Sequence, residues 1–559
     1  MVKGKFSCLC RLFGIFVAVI FVSLTAITAE AGTYSGGTGE PNDPYLISTP
    51  EELNTIGEDA NDWDKHFKLM ADVDMNGVEY NIIAGGSETW DYQGEPFVGS
   101  FDGDGHIIKK VTVNVPNQSY IGLFGYVGTG GEIKNLKLEN VNLKGYSYAG
   151  AVAGENKGSI INCFSEVNIQ VDYRYAGGIV GENDGNISLS SSFSNIYGYA
   201  ALGGLVGWNN GTIDKCDSKG VARVDIACGP YCGGLVGYNK GDILNSVSNS
   251  TVYGGSSDVG GFAGTNRGMI ENCHSNGYVS GTAYSAGGLI GYNSRGKIYN
   301  CYSEAEVSGK YYIGGLVGWD KSGYISGSYA AGNVLAQEEV GGLIGWMTGS
   351  SITNCYSTGD VNGIEYIGGL SGGINGTGSI INCYATGKVI GNENTGGLLG
   401  YNTLNTGIII ESFWDFESSD IMTSVGGSGK STAEMQTAAT FINAGWDFNT
   451  PIWTIDEGFD YPRLWWETPI EPVDLVIELS ENVDTMSLQK GVTNSLQVIL
   501  DTALRLLEDE NEHNDSAAIN SLQAFINAVN AQRGKKISEE DADYLVTAAQ
   551  QIIDLLSSE

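Results

Sequence analysis

Seven five-residue segments of this chain superpose: Gly177-Gly178-Ile179-Val180-Gly181 and the blocks that begin at Gly203, Gly233, Gly287, Gly314, Gly341 and Gly396. With weaker copies between them, the second glycine of the pair recurs at 122, 151, 178, 204, 234, 261, 288, 315, 342, 369 and 397, so one unit of about 27 residues repeats eleven times. A period of this length means that each unit buries its apolar face only by stacking on its neighbours. Within a unit the order is Gly, Ile, often Asn, then Cys or Ser, an aromatic and a Val, as in Gly296-Lys297-Ile298-Tyr299-Asn300-Cys301-Tyr302-Ser303 followed by Val307. These are short β-branched and aromatic strands punctuated by Gly and Asn rather than helices. At about 3.3 Å per residue a unit closes a coil of about 90 Å perimeter, enough for three short faces, and coils stack about 4.8 Å apart.

Columns follow from stacking. Leu123, Val152, Ile179, Leu205, Leu235, Phe262, Leu289, Leu316, Leu343, Leu370 and Leu398 form an inward apolar column. The third glycine of the motif (125, 154, 181 and onward) marks a corner, by positive φ or by close approach of coils. Cys163, Cys216, Cys273, Cys301, Cys355 and Cys383 alternate with Ser190, Ser246, Ser328 and Ser412 in a small interior column, where they read as space-fillers. Bridges between Cys273 and Cys301, or Cys355 and Cys383, would join parallel Cβ vectors, a poor disulfide geometry. Cys228 and Cys232 lie in an insert and are the disulfide candidate. Asn135, Asn162, Asn245, Asn272, Asn300, Asn354 and Asn382 are expected to form an amide ladder at a bend.

The unit Gly-Gly-Leu-Val-Gly-Tyr-Asn, then Ile, Asn-Cys-Tyr-Ser and Gly-x-Val, resembles the GLUG repeat of bacterial surface and secreted proteins. Flanking segments are similar to the same proteins: Asp43-Pro44-Tyr45-Leu46-Ile47, Phe67 to Asp74, Phe101 to His106, Phe413-Trp414-Asp415 and Tyr461-Pro462-Arg463-Leu464. The resemblance implies an adhesin-like or surface role and supplies no catalytic residues. The run AINSLQAFINAVNAQRGKKISEEDADYL, residues 518–545, resembles the FIMAH domain, which implies an accessory interaction module. The fold expected is mainly β: a parallel β-helix (solenoid) of about eleven 27-residue repeats plus N-terminal coils, followed by a small all-α C-terminal domain.

The expected domains are a signal peptide at 1–31, an N-terminal cap and first coils at 32–120, the solenoid at 121–412, its C-terminal cap at 413–466, a Pro-rich acidic linker at 467–479 and a three-helix domain at 480–559. Thr49 before Pro50-Glu51-Glu52 starts a capping helix, and Trp446, Trp453, Trp465 and Trp466 are expected to cover the last coil. Ser538 followed by Asp541 caps the last helix. At the amino terminus Lys3, Lys5 and Arg11 precede the apolar run Leu12 to Leu24 and then Ala29-Glu30-Ala31, the order of a secretory signal cleaved after Ala31. The run is short for a span of roughly 20 apolar residues, so no membrane span is expected after cleavage.

The formal net charge is −36. Phosphate recognition needs a basic footprint, so nucleic acid is excluded as an expected partner. Asp72-x-Asp74-x-Asn76-Gly77 opens like an EF-hand loop, but Ile83 stands where the closing Glu belongs; calcium there is the one metal considered, and no other cofactor is expected. Gly429-Lys430-Ser431 lacks the phosphate loop's first glycine, Ser424 standing there. The four histidines, His66, His106, His274 and His513, lie in unrelated regions. Asp225, Asp258, Glu338, Asp360 and Glu365 are the carboxylates available to a two-carboxylate glycosidase, but nothing in the sequence pairs them. With the Cys column inward, Phe164, Tyr302, Tyr329, Tyr356, Tyr384 and Phe413 point outward as an aromatic strip, and Tyr302, Tyr329, Tyr356 and Tyr384 are the candidate glycan-binding residues; the alternative is a ladder that only stabilises neighbouring coils. The reading is a monomeric, non-enzymatic, secreted or cell-surface bacterial protein that binds an extracellular glycan or envelope component. A β-helix polysaccharide lyase or hydrolase is second, and a structural spacer third.

Overall fold

The computed structural model describes residues 34–86, 92–224, 230–255, 257–281, 284–450, 452–467, 472–486, 488–507 and 515–558. The expected signal segment, Asp225 and Cys228 lie outside them. From Tyr45 to Lys430 the chain is a right-through stack of parallel coils. A representative coil runs through Ile290–Ser294, Lys297–Tyr299, Tyr302–Ser303, Glu306–Ser308 and Tyr311–Gly314. Its strands enter four ladders rather than three faces: one of 14 strands, two of 11, and one bent ladder holding both central strands.

The extra ladder comes from the glycine corner. Gly314 ends one ladder and Val317 begins the next, with Gly315-Leu316 between them. A Cβ on Gly315 would sit 2.1 Å from the Gly342 carbonyl of the next coil, and one on Gly318 would sit 2.7 Å from Ala286 N. Neither glycine has positive φ, so close approach, not handedness, fixes the motif.

Inside the corner, the leucine column is buried from Leu123 to Leu398, and Ile133, Ile160, Ile187 and Ile213 stack in register on the 14-stranded ladder. The cysteine column does more than fill space. The Cys163 N–H donates to Ser190 Oγ at 3.1 Å, Ser246 N–H to Cys273 Sγ at 3.4 Å, and Cys273 N–H to Cys301 Sγ at 3.4 Å. Ser190, Ser246, Cys273, Cys301, Ser328 and Ser412 each accept the amide of the coil before.

Asparagine ladders run along the rod, and two of them are long. The expected one occupies left-handed bends, with φ of 48° at Asn245, 54° at Asn272 and 50° at Asn300, a conformation asparagine tolerates; Asn162 Nδ2 donates to Asn135 Oδ1 at 2.8 Å. The second is buried. Asn156, Asn183, Asn209, Asn239, Asn266 and Asn293 each donate Nδ2 to the next member at 2.8–3.0 Å, and Asn293 donates to Asp320 at 2.9 Å. Asp320 ends the series, fully buried, with its second oxygen meeting no donor among the described residues. Burial pushes its carboxyl up from 3.8 to about 7.

Thr49 and Glu52 form the expected capping box on helix Pro50–Glu58, whose Leu53 and Ile56 join the first coils' core. The other cap departs from expectation. Ser428–Lys430 extends the bent ladder beside Phe413–Asp415 at the end of the rod, whereas residues 431–450 and 452–466 fold back along its flank. Met435, Phe441, Trp446, Trp453 and Leu464 pack there on Tyr356, Tyr384 and Phe413.

The C-terminal domain holds four helices among the described residues, Pro472–Thr485, Lys490–Leu507, Asp515–Gln532 and Glu539–Ser558, where three and a linker to 479 were expected. Val476, Leu479 and Val483 are buried at helical spacing, and Pro472 opens the helix where proline is tolerated. Ser538 Oγ accepts the Asp541 N–H at 3.0 Å, as expected.

Asp320 predicts a pH-dependent stability. A carboxyl raised on folding binds its proton more tightly in the folded state, so stability falls as pH rises from 3.8 toward 7 and levels off above that, and the loss is recovered as pH falls back toward 3.8. Asp320→Asn, which keeps an oxygen for the Asn293 amide and carries no ionisable carboxyl, should exceed the wild type by roughly 2–4 kcal/mol at pH 8, the gap closing toward pH 4 in paired thermal melts. Thiol labelling gives a second check: Cys163, Cys216, Cys273, Cys301, Cys355 and Cys383 are buried and unbridged, and should react only after unfolding.

Candidate functional site

Strand register lines up Val247, His274, Tyr302, Tyr329, Tyr356, Tyr384 and Phe413 on successive coils of the bent ladder. The coil spacing sets the ring spacing. His274 stacks on Tyr302 at 4.6 Å, and the four tyrosines follow at 4.9, 4.8 and 4.8 Å with their planes within 7°. Their faces therefore cover one another, leaving edges and hydroxyls for anything else. This corrects the expectation of tyrosine faces open to sugar rings.

The cap divides the ladder. Tyr384 is 1% exposed and Tyr356 5%, and both hydroxyls are used: Tyr384 donates to the Pro462 carbonyl at 2.6 Å and Tyr356 to Glu467 Oε2 at 2.5 Å. These two are cap-binding residues and leave the list of ligand candidates. Tyr302 and Tyr329 remain half-buried. Trp466 lies 6.1 and 5.9 Å from their ring centres, held by its Nε1–H on the Gly327 carbonyl at 3.2 Å. Neither the Tyr302 nor the Tyr329 hydroxyl has a hydrogen-bond partner among the described residues.

Around them opens a groove of about 730 Å³, lined also by His274, Arg463, Glu467 and the amides of Asn245, Asn272 and Asn300. Glu467 accepts from the Leu464 N–H at 2.7 Å as well as from Tyr356, and burial raises its carboxyl above the ordinary range. Arg463 is paired with Asp460. Burial lowers His274 below the usual imidazole value. The groove is thus polar and aromatic, with its charged groups already engaged.

The other sequence candidates are scattered. Asp74 accepts from Lys110 Nζ at 2.9 Å and from the Asn76 N–H at 3.0 Å; Asp72 accepts from the Ile107 N–H. No cluster of three or more His, Cys, Asp or Glu suited to a metal occurs among the described residues. Cys232 is buried, and its suggested partner Cys228 lies outside the described residues. Register places Glu338 beside Glu365 on one ladder, side by side rather than across a cleft as a two-carboxylate hydrolase requires. Asp258 accepts from Ser285 and Thr265 at 2.9 Å each. Trp466 was expected over the last coil and Glu467 was not singled out; their places beside Gly327 and Tyr356, 139 and 111 residues away, are a juxtaposition no local pattern encodes.

Residues 282–308, 336–362 and 363–390 match the GLUG motif, and residues 474–554 match the FIMAH domain. The chain thus carries GLUG-motif repeats and a C-terminal FIMAH domain. The chain is 33% identical over 137 residues to Halomucin of Haloquadratum walsbyi, covering 24% of this chain and 2% of that protein. A protein of Evansella cellulosilytica, described as a Gly-rich membrane protein, is 32% identical over 166 residues, or 27% of this chain and 18% of the relative. The chain thus spans a small part of the curated relatives it matches. Among solved structures, a Bacteroides ovatus protein described as an immunoglobulin A1 protease aligns over 78% of this chain and 96% of its own at 20% identity and TM-score 0.25. Another, named IgA1 Protease, aligns over 81% and 28% at 14% identity and TM-score 0.22. Likeness at that level carries no argument about activity.

The division of the tyrosine ladder is testable by stability. Tyr384→Ala removes a ring buried between coil and cap and should cost about 3–5 kcal/mol in chemical unfolding. Tyr302→Ala, half-exposed, should cost about 1 kcal/mol. Equal costs would mean that the cap does not seal the far half of the ladder.

Proposed function

We propose that this GLUG–FIMAH protein is an exported, surface-associated binding protein whose solenoid holds a carbohydrate in the groove between Tyr302, Tyr329 and Trp466. The observation that carries this reading is the state of the hydroxyls. The cap consumes those of Tyr356 and Tyr384 and leaves those of Tyr302 and Tyr329 without a protein partner, on the wall of a groove that also displays three asparagine amides and an indole. Hydroxyl-rich, uncharged ligands with one apolar face match that inventory: the amides and phenols donate and accept, and the indole offers a ring face.

Export is supported by the amino-terminal order of basic, apolar and small residues and by the halomucin and membrane-protein names of the matching relatives. No helix among the described residues is long and apolar enough to cross a bilayer. Binding rather than turnover is supported by the engagement of the groove's one carboxylate, Glu467, with Tyr356 and Leu464. The FIMAH domain, with its own core of Leu496, Leu522, Phe525 and Leu545, would serve as the second contact, toward the envelope.

The test uses the full secreted chain, sedimented with insoluble neutral polysaccharides such as cellulose, xylan and chitin. Tyr302→Phe with Tyr329→Phe deletes two hydroxyls and keeps the ring stack. Retention on at least one glycan, reduced about tenfold in the double variant, is expected. Retention unchanged by the loss of both hydroxyls contradicts the proposal.

A further inference from the structure

A second face of the rod gathers cations in a chain where 65 acidic residues outnumber 29 basic ones. Lys240 follows Asn239, Arg267 follows Asn266 and Lys321 follows Asp320. The register pairs Asn239 with Asn266, Asn266 with Asn293, and Ser294 with Lys321. Lys240, Arg267, Ser294 and Lys321 therefore occupy one column on four successive coils, about 14 Å from first to last at the coil spacing. Arg295 stands beside that column, its N–H donating to the Lys321 carbonyl at 2.9 Å.

All four cations are exposed, and none forms an ion pair among the described residues. Arg267, Arg295 and Lys321 line a depression of about 500 Å³ with Tyr292, Ser294 and Ser322. Two carboxylates near the column are turned elsewhere: Asp320 inward to Asn293, and Asp258 to Ser285 and Thr265. Aromatic rings interleave with the cations instead. The Lys240 ammonium lies 4.8 Å from the Trp208 ring centre, the Arg267 guanidinium 5.8 Å from Tyr238 and the Lys321 ammonium 5.8 Å from Trp319, while Tyr292 meets Trp319 at 5.0 Å.

Like charges repeated at coil spacing repel one another, and carboxylates to neutralise them are abundant elsewhere in this chain. An external anion removes that repulsion. A column three steps long suits a repeating anion better than a single one, and the rings beside it suit a repeat with an apolar face. At physiological salt the net charge of the rod is screened beyond about 8 Å, so the local patch decides. We propose that the face formed by Lys240, Arg267, Arg295 and Lys321 binds an acidic polysaccharide, its carboxylates or sulfates on the cations and its sugar faces on Tyr292 and Trp319. This site is separate from the neutral groove on the bent ladder.

The test is affinity of the full secreted chain for polygalacturonate and dextran sulfate, with neutral dextran as control, from about 0.05 to about 0.5 M salt. The wild type should bind an acidic polymer and release it as salt rises. The triple variant Arg267→Gln, Arg295→Gln, Lys321→Gln should lose at least about tenfold while keeping the melting temperature and any neutral-glycan retention. Acidic binding should survive Tyr302→Phe with Tyr329→Phe, which separates this site from the groove. The proposal is overturned by no acidic binding at low salt, by a triple variant that binds as well as the wild type, or by equal retention on polyphosphate and duplex DNA.

Discussion

The fold depends on one constraint: parallel coils in register place each side chain next to its counterpart about 4.8 Å away. A residue type belongs in such a column only if it is compatible with copies of itself. Leucine and isoleucine qualify by packing, and glycine by letting backbones touch. Asparagine qualifies because its amide donates to the next amide and accepts from the one before; tyrosine and histidine qualify by stacking. Carboxylates and ammonium groups do not qualify in the interior, where neither can satisfy its neighbour. The buried asparagine ladder accordingly runs through six members and stops at Asp320, beyond which Met347 and Ile374 continue the column as hydrocarbon.

The same constraint explains how much could be read without a structure. Anything repeated was legible: the eleven-fold period, the inward leucines, the cysteine column and the asparagines at the left-handed bend all follow from residue spacing. The buried ladder was also within reach, since Asn239, Asn266 and Asn293 each stand two residues after the motif's third glycine, but it was overshadowed by the more obvious Asn-Cys pair. Whatever does not repeat was hidden. Acidic residues and proline made 467–479 read as a linker although Val476, Leu479 and Val483 keep helical spacing, and nothing local showed that residues 431–450 and 452–466 turn back along the flank.

That return determines the candidate site. A bare tyrosine ladder is a stabilising stack whose faces are all occupied, which was the plainer of the two readings of these residues. The cap converts part of it: where Trp453 and Tyr461 cover the ladder, the phenols become internal donors, and where the cap thins to Trp466 the phenols are left over beside a groove. The site thus arises at the boundary of a stabilising device, from residues that are individually unremarkable in sequence. The basic face arises differently, from variation at one column position that is Lys, Arg, Ser and Lys on four coils in turn.

The central claim is that ligand binding belongs to the boundary between the covered and uncovered halves of the tyrosine ladder. Hydrogen–deuterium exchange on the full chain, with and without a soluble oligosaccharide of the neutral glycan that retains it, tests this most directly. The account predicts added protection confined to the coil segments around Asn272, Asn300 and Tyr329 and to the cap segment from Arg463 to Glu467. Protection that falls on other faces of the solenoid, or on the helical domain alone, would contradict it.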